Sequence, residues 1–244
     1  MRRMAFACWV VMAFGVLASS ASAAFPGGDG LLVVQPFAGR GLLLVDSHTG
    51  LVRRICPDGF QCDFARRPRW SPDGRALAFA AFASASNGRI YPEGISLIYP
   101  DGSCLACSLP AGSSSPAFTS DPALVSAVAG GSLLEAGIDG VHKATIVRGG
   151  VSDAVWSARG DLAIVRSGRV WAGHAGHLRL VGRGDSPSWS PDGSRLALVR
   201  KGWILIFQRR TRFIRPLIRG TAPAWSPDGR SVVVDVRSGP TVDA

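Results

Sequence analysis

The chain has 244 residues, 47% of them hydrophobic and 18% charged, which allows a packed core and excludes general disorder. Thirty Gly and sixteen Pro weigh against long helices, and the lack of a Gly-X-Y repeat excludes collagen. The net charge of +10 comes almost wholly from Arg, with Lys143 and Lys201 the only lysines, so it reads as a compositional habit before a binding signal.

Residues 1–23, MRRMAFACWVVMAFGVLASSASA, begin with Arg2 and Arg3, continue through an apolar run from Met4 to Ala18 and end on Ala21-Ser22-Ala23. This is the order of a cleaved export signal, so a single domain is expected over 24–244; a retained anchor is the alternative. Cleavage removes two Arg and no acid, and the charge falls from +10 to +8. Apolar runs at 31–37, 42–46 and 51–55 then read as short strands, followed by Cys56 and Cys62. The next segment, PRWSPDGRALAF at 68–79, introduces a phrase that returns along the chain. Ser-Pro-Asp-Gly is a reverse turn, in which Pro fixes φ and Gly accepts a positive value. An apolar strand follows it, then a second run at 95–99, a turn at Asp101-Gly102, and Cys104 and Cys107.

The later copies are PAFTSDPALV at 116–125, AVWSARGDLAI at 154–164, PSWSPDGSRLAL at 187–198 and PAWSPDGRSVVV at 223–234. Their aromatic anchors Trp70, Phe118, Trp156, Trp189 and Trp225 stand 48, 38, 33 and 36 residues apart. A faint further copy opens at Phe25. Units of about forty residues holding four short strands are the pattern of a β-propeller blade. Asp73, Gly74, Asp192, Gly193, Asp228 and Gly229 are therefore structural turn residues of the repeat. The phrase resembles the TolB-like, or WD40-like, β-propeller repeat over essentially the whole mature chain, departing from it at the Phe118 and Trp156 turns. The extra N-terminal domain of TolB is not expected here. The fold class is thus all-β: about five four-stranded blades, with six as the alternative, closed by pairing of the N- and C-terminal strands.

Four cysteines remain after cleavage, and in an exported protein two local disulfides, Cys56–Cys62 and Cys104–Cys107, are the default. A four-thiolate zinc site and a redox pair at Cys104 and Cys107 stay open as alternatives. His174 and His177 form a turn between two strands and read as a surface hairpin, since no acid is seen to accompany them. Arg209, Arg210 and Arg212 read as a solvated hairpin end. His48 and His142 are isolated.

No nucleophile elbow and no phosphate-binding glycine loop occurs, so no catalytic residue, metal or cofactor is assigned. The resemblance implies a non-catalytic binding or scaffolding protein, exported to the periplasm or beyond. Its partner is expected to be a protein, peptide or glycan of the cell envelope. Nucleic acid is not expected as a partner, nor is a membrane span after cleavage, and the protein is expected to be a monomer. The alternatives are a propeller enzyme acting on glycans or envelope polymers, and a structural anchor held by Arg-rich charge.

Overall fold

In a computed structural model, the described residues are 30–34, 41–46, 48–55, 65–84, 90–105, 112–139, 143–226 and 228–235. They form strands and turns and no helix. The expected signal and the residues Cys56, Cys62, Cys107 and His142 lie outside them; of Cys104, only the backbone is described.

Four sheets each contain four antiparallel strands in sequence order. The first blade is β4 (Arg66–Trp70), β5 (Leu77–Ser84), β6 (Ile90–Ile98) and β7 (Cys104–Leu105). The second is β8 (Ser114–Phe118), β9 (Leu124–Ala129), β10 (Ser132–Gly137) and β11 (Lys143–Val147). The third is β12 (Val151–Trp156), β13 (Asp161–Arg166), β14 (Arg169–His174) and β15 (His177–Arg183). The fourth is β16 (Asp185–Trp189), β17 (Arg195–Arg200), β18 (Trp203–Gln208) and β19 (Ile214–Arg219). Two partial sheets flank them: β1 (Leu31–Val34), β2 (Leu43–Asp46) and β3 (Val52–Arg54) at one end, and β20 (Thr221–Trp225) with β21 (Val232–Asp235) at the other.

Each copy of the phrase ends the first strand of its sheet, and these five strands (β4, β8, β12, β16 and β20) line a common centre, which is the five-bladed propeller arrangement. The terminal sheets hold the five strands counted from the sequence. Among the described residues they are hydrogen-bonded as separate sheets, with no ladder between β21 and β1–β3.

Every inner strand carries a register shift; in β4, β8, β16 and β20 it lies between the residues four and one before the aromatic, and in β12 it lies earlier, between Val151 and Asp153. In four of them the residue three before the aromatic has a positive φ: Arg67, Ser115, Ser186 and Ala222, at 47–53°. Proline follows each of these. Having no N–H, it fits the bulge, where the ladder is already interrupted. The third copy has Ala154 in place of that proline, and Asp153 before it keeps a negative φ. Two-residue turns at Gly130-Gly131, Ser167-Gly168 and Lys201-Gly202, with both φ values positive, join the second and third strands of three blades.

The anchors weld neighbouring blades. Phe118 packs on Ala78, Ala80 and Leu97 of the first blade, and Trp156 on Ala117, Val128 and Leu133 of the second. Trp189 packs on Val155, Ala163 and Val165 of the third, and Trp225 on Ala197, Val199 and Ile206 of the fourth. These four are 1–7% exposed, whereas Trp70 is only half-buried. Trp70 packs against the cluster of Val33, Leu42, Leu44 and Ile55, where a three-stranded sheet gives less cover than a full blade.

Candidate functional site

The repeated polar residues form one local network per turn. Ser190 Oγ donates to Asp192 Oδ1 (2.6 Å) and accepts from the Arg195 amide (2.9 Å), while the Gly193 amide reaches the Ser190 carbonyl (2.8 Å). The same 2.6 Å Ser–Asp bond recurs between Ser71 and Asp73 and between Ser226 and Asp228. Burial raises the Asp192 carboxyl, but hydrogen bonds from Ser190 and Ser194, with the Arg195 charge, outweigh it and bring the pKa down to about 2. Asp73 and Asp228 are also held below the ordinary carboxylate value. For Asp73 burial opposes the Ser71 bond, and for Asp228 the Ser226 bond leads. These aspartates are engaged within their own turns.

The cavity bordered by Trp70, Phe118, Trp156, Trp189 and Pro223 measures about 20 Å³, close to the space of one water. Beside it Arg67 makes an ion pair with Asp153 (3.0 Å) and a hydrogen bond to Ser115 Oγ, linking the first three inner strands. Burial pulls the nearby Arg69 guanidinium below its ordinary value, with Asp153 opposing and Arg67 reinforcing.

A larger pocket, about 370 Å³, opens between the third and fourth blades. This lies within the range of small-molecule sites. Its wall combines Val181, Trp189 and Phe207 with His174, His177, Arg179, Arg209, Arg210 and Arg212. The histidine turn and the arginine turn, read separately from the sequence as surface hairpins, therefore face one space.

The position of the histidines also needs correction, because an acid does accompany them. Antiparallel pairing sets Asp161 directly across from His174, and His174 across from His177, in one row over β13, β14 and β15. Asp161 is fully buried, with His174 Nδ1 3.2 Å from its Oδ1 and Arg209 of the next blade hydrogen-bonded to its Oδ2. The histidine contact is a close approach and not an aligned hydrogen bond. A shortened turn puts this acid there: five residues lie between Trp156 and its cross-strand partner Leu162, against six between Trp189 and Leu196. Asp161 thus occupies the place held by Ala76, Leu124, Arg195 and Ser231 in the other copies.

Backbone contacts fix the pocket's rim. Gly173 has a φ of 153°, and a Cβ there would lie 2.6 Å from the His177 carbonyl oxygen, so glycine lets β14 and β15 approach at the histidine row. The Arg209 amide bonds to the Ser194 carbonyl (3.0 Å), and Arg212 donates to the Leu180 carbonyl (3.3 Å), tying the arginine turn to the third blade. Among the described residues no group of three or more His, Cys, Asp or Glu side chains converges as a metal site, and no helix is long and apolar enough to cross a membrane.

No protein-family model matches the sequence, and no curated protein matches it. Solved structures do. One designated TolB from Agrobacterium tumefaciens superposes with a TM-score of 0.66 at 14% identity, covering 88% of each chain. TolB from Acinetobacter baumannii gives 0.64 at 20% identity over 84% of this chain, which spans 55% of that protein. An oligogalacturonate lyase in complex with manganese gives 0.56 at 14% identity, covering 87% of this chain and 69% of the lyase. At these identities the likeness is one of fold. Together with the repeated phrase and its five central strands, it gives this chain the fold of a TolB-like β-propeller.

Proposed function

We propose that this protein is an exported, non-catalytic binding or scaffolding protein that takes a protein, peptide or glycan ligand of the cell envelope. The observation that carries this reading is the pocket between the third and fourth blades. It offers about 370 Å³ where the described cavity between the inner strands offers about 20 Å³, and its rim comes from turns whose side chains the repeat does not require. The TolB structures among the fold's neighbours support a binding role. The signal-like residues 1–23 support export. The protein acts as a monomer, without a cofactor.

One observation favours a second reading, an enzyme acting on glycans or envelope polymers. A buried carboxylate 3.2 Å from Nδ1 of an exposed histidine would orient a general base once the ring turned to align a hydrogen bond. The lyase neighbour supports the same reading, since a propeller of this shape carries out chemistry there. An affinity pull-down from an envelope fraction, followed by incubation of the captured material with fresh protein, separates the two. Stable recovery of unaltered ligand is expected. Turnover that disappears in His174→Ala, with the fold intact, would establish the enzyme instead.

A further inference from the structure

Four arginines line the pocket between the third and fourth blades, and no carboxylate does. Two of them are committed: Arg209 to buried Asp161 and Arg212 to the Leu180 carbonyl. Arg179 and Arg210 are exposed and make no hydrogen bond or ion pair among the described residues. They come from different blades, Arg179 from β15 and Arg210 from the turn after β18, so one ligand group between them would be gripped from two sides. Guanidinium forks match the geometry of carboxylates and phosphates, often through two parallel bonds. Val181 and Phe207 complete the wall with an apolar surface.

We propose that this pocket is an oxyanion site for a ligand of about monosaccharide size, whose carboxylate or phosphate sits between Arg179 and Arg210 with its ring against Val181 and Phe207. This rests on the binding reading above and names the chemistry of the ligand. Arg209 serves a different purpose: paired with Asp161, it neutralises the one buried acid behind the wall, so the pocket's positive field is not cancelled.

The test is direct calorimetric titration of the purified protein with glucuronate, glucose 6-phosphate and glucose. At low salt the first two should bind and neutral glucose should not, and binding should weaken as salt rises from about 0.05 to about 0.5 M. The two charged probes distinguish a carboxylate from a phosphate ligand. Arg179→Ala/Arg210→Ala should weaken binding at least tenfold. Arg179→Lys/Arg210→Lys, which keeps charge but loses the fork, should fall between. Arg169→Ala/Arg200→Ala removes the same charge at the opposite ends of these blades and should change binding less than twofold. Melting curves check that each variant folds. Equal binding of glucose and glucuronate, binding of no probe, or equal losses in the two alanine pairs overturns the proposal. A protein that still captures envelope ligand while ignoring both anions would leave the binding reading standing and remove this one. Consumption of an anion would do the reverse, ending the non-catalytic reading while keeping the site.

Discussion

Phenylalanine substitutions at the three most buried tryptophan anchors should differ in a way that burial by itself does not predict. Trp156, Trp189 and Trp225 are 7%, 1% and 2% exposed, so each loses a similar volume from a closed interface between blades. That loss should amount to roughly 1–1.5 kcal/mol per site. Their indole nitrogens differ. Trp156 Nε1 donates to Ser126 Oγ at 2.9 Å and Trp225 Nε1 to the Ser188 carbonyl at 3.0 Å, while Trp189 Nε1 has no protein acceptor among the described residues. Phenylalanine at 156 or 225 leaves a buried oxygen without its donor, adding roughly 1–3 kcal/mol. Trp156→Phe and Trp225→Phe should thus exceed Trp189→Phe by at least about 1 kcal/mol. Trp189→Ala should nonetheless lose about 3–5 kcal/mol, since it empties the joint between the third and fourth blades. Urea unfolding with a common m-value measures all four variants. Equal losses in the three phenylalanine variants, or the largest at Trp189, would refute the hydrogen-bond reasoning. A loss below about 1 kcal/mol for Trp189→Ala would refute the assignment of the anchors.

Asp161→Ala should destabilise by roughly 1–3 kcal/mol, less than the usual penalty for breaking a buried pair, because Arg209 and His174 are partly exposed and can turn to water; thermal melts measure it. The Asp192 carboxyl lies lower in the folded protein, at about 2, than its ordinary 3.8. Its contribution is therefore present above about pH 4 and lost as pH falls toward about 2. Asp192→Asn should show a deficit in unfolding midpoint at neutral pH that closes near pH 2, and a deficit independent of pH would contradict the assignment. N-terminal sequencing of exported protein should begin at Ala24, and non-reducing peptide mapping should find Cys56 linked to Cys62 and Cys104 to Cys107; an intact leader or cross-pairing would contradict these. Arg195 stacks 4.4 Å from the Trp225 ring centroid and donates to the Gly229 carbonyl at 2.7 Å, so Arg195→Ala should lower the melting temperature more than Arg200→Ala does.

The blades were legible because three of the five units repeat a turn with a steric reason for every residue, Pro for its fixed φ, Asp for the Ser hydroxyl and Gly for positive φ, and the other two keep the aromatic and the apolar strand around an altered turn. The strand after each turn came from its apolar run, as in Leu77–Ser84 and Arg195–Arg200. The bulges of the inner strands also had a local sign, since proline stands after the positive-φ residue in four of them and gives way to Ala154 in the fifth. The pocket had no such sign, because its parts meet through pairing and adjacency. His174 and His177 are close in sequence, but the acid beside them lies thirteen residues back, joined by the register of β13 on β14. The arginine turn belongs to another blade altogether. One signal was available: the third turn is a residue short, and it leaves an acid at the start of a strand where the other copies carry none. The exposure of Trp70 was not readable either, since it depends on how many strands cover that face.

Ligand recognition between the third and fourth blades, and not at the propeller centre, is the central claim. The most direct measurement is capture from an envelope fraction by the wild-type protein and by Arg179→Ala/Arg210→Ala, side by side, with both confirmed as folded. The wild type should retain a ligand, and with protein held below its Kd the double variant should lose up to about nine-tenths of it, in line with the tenfold loss of affinity (about 1.4 kcal/mol) expected at that site. Undiminished recovery by the double variant would place recognition elsewhere on the propeller and contradict the central claim.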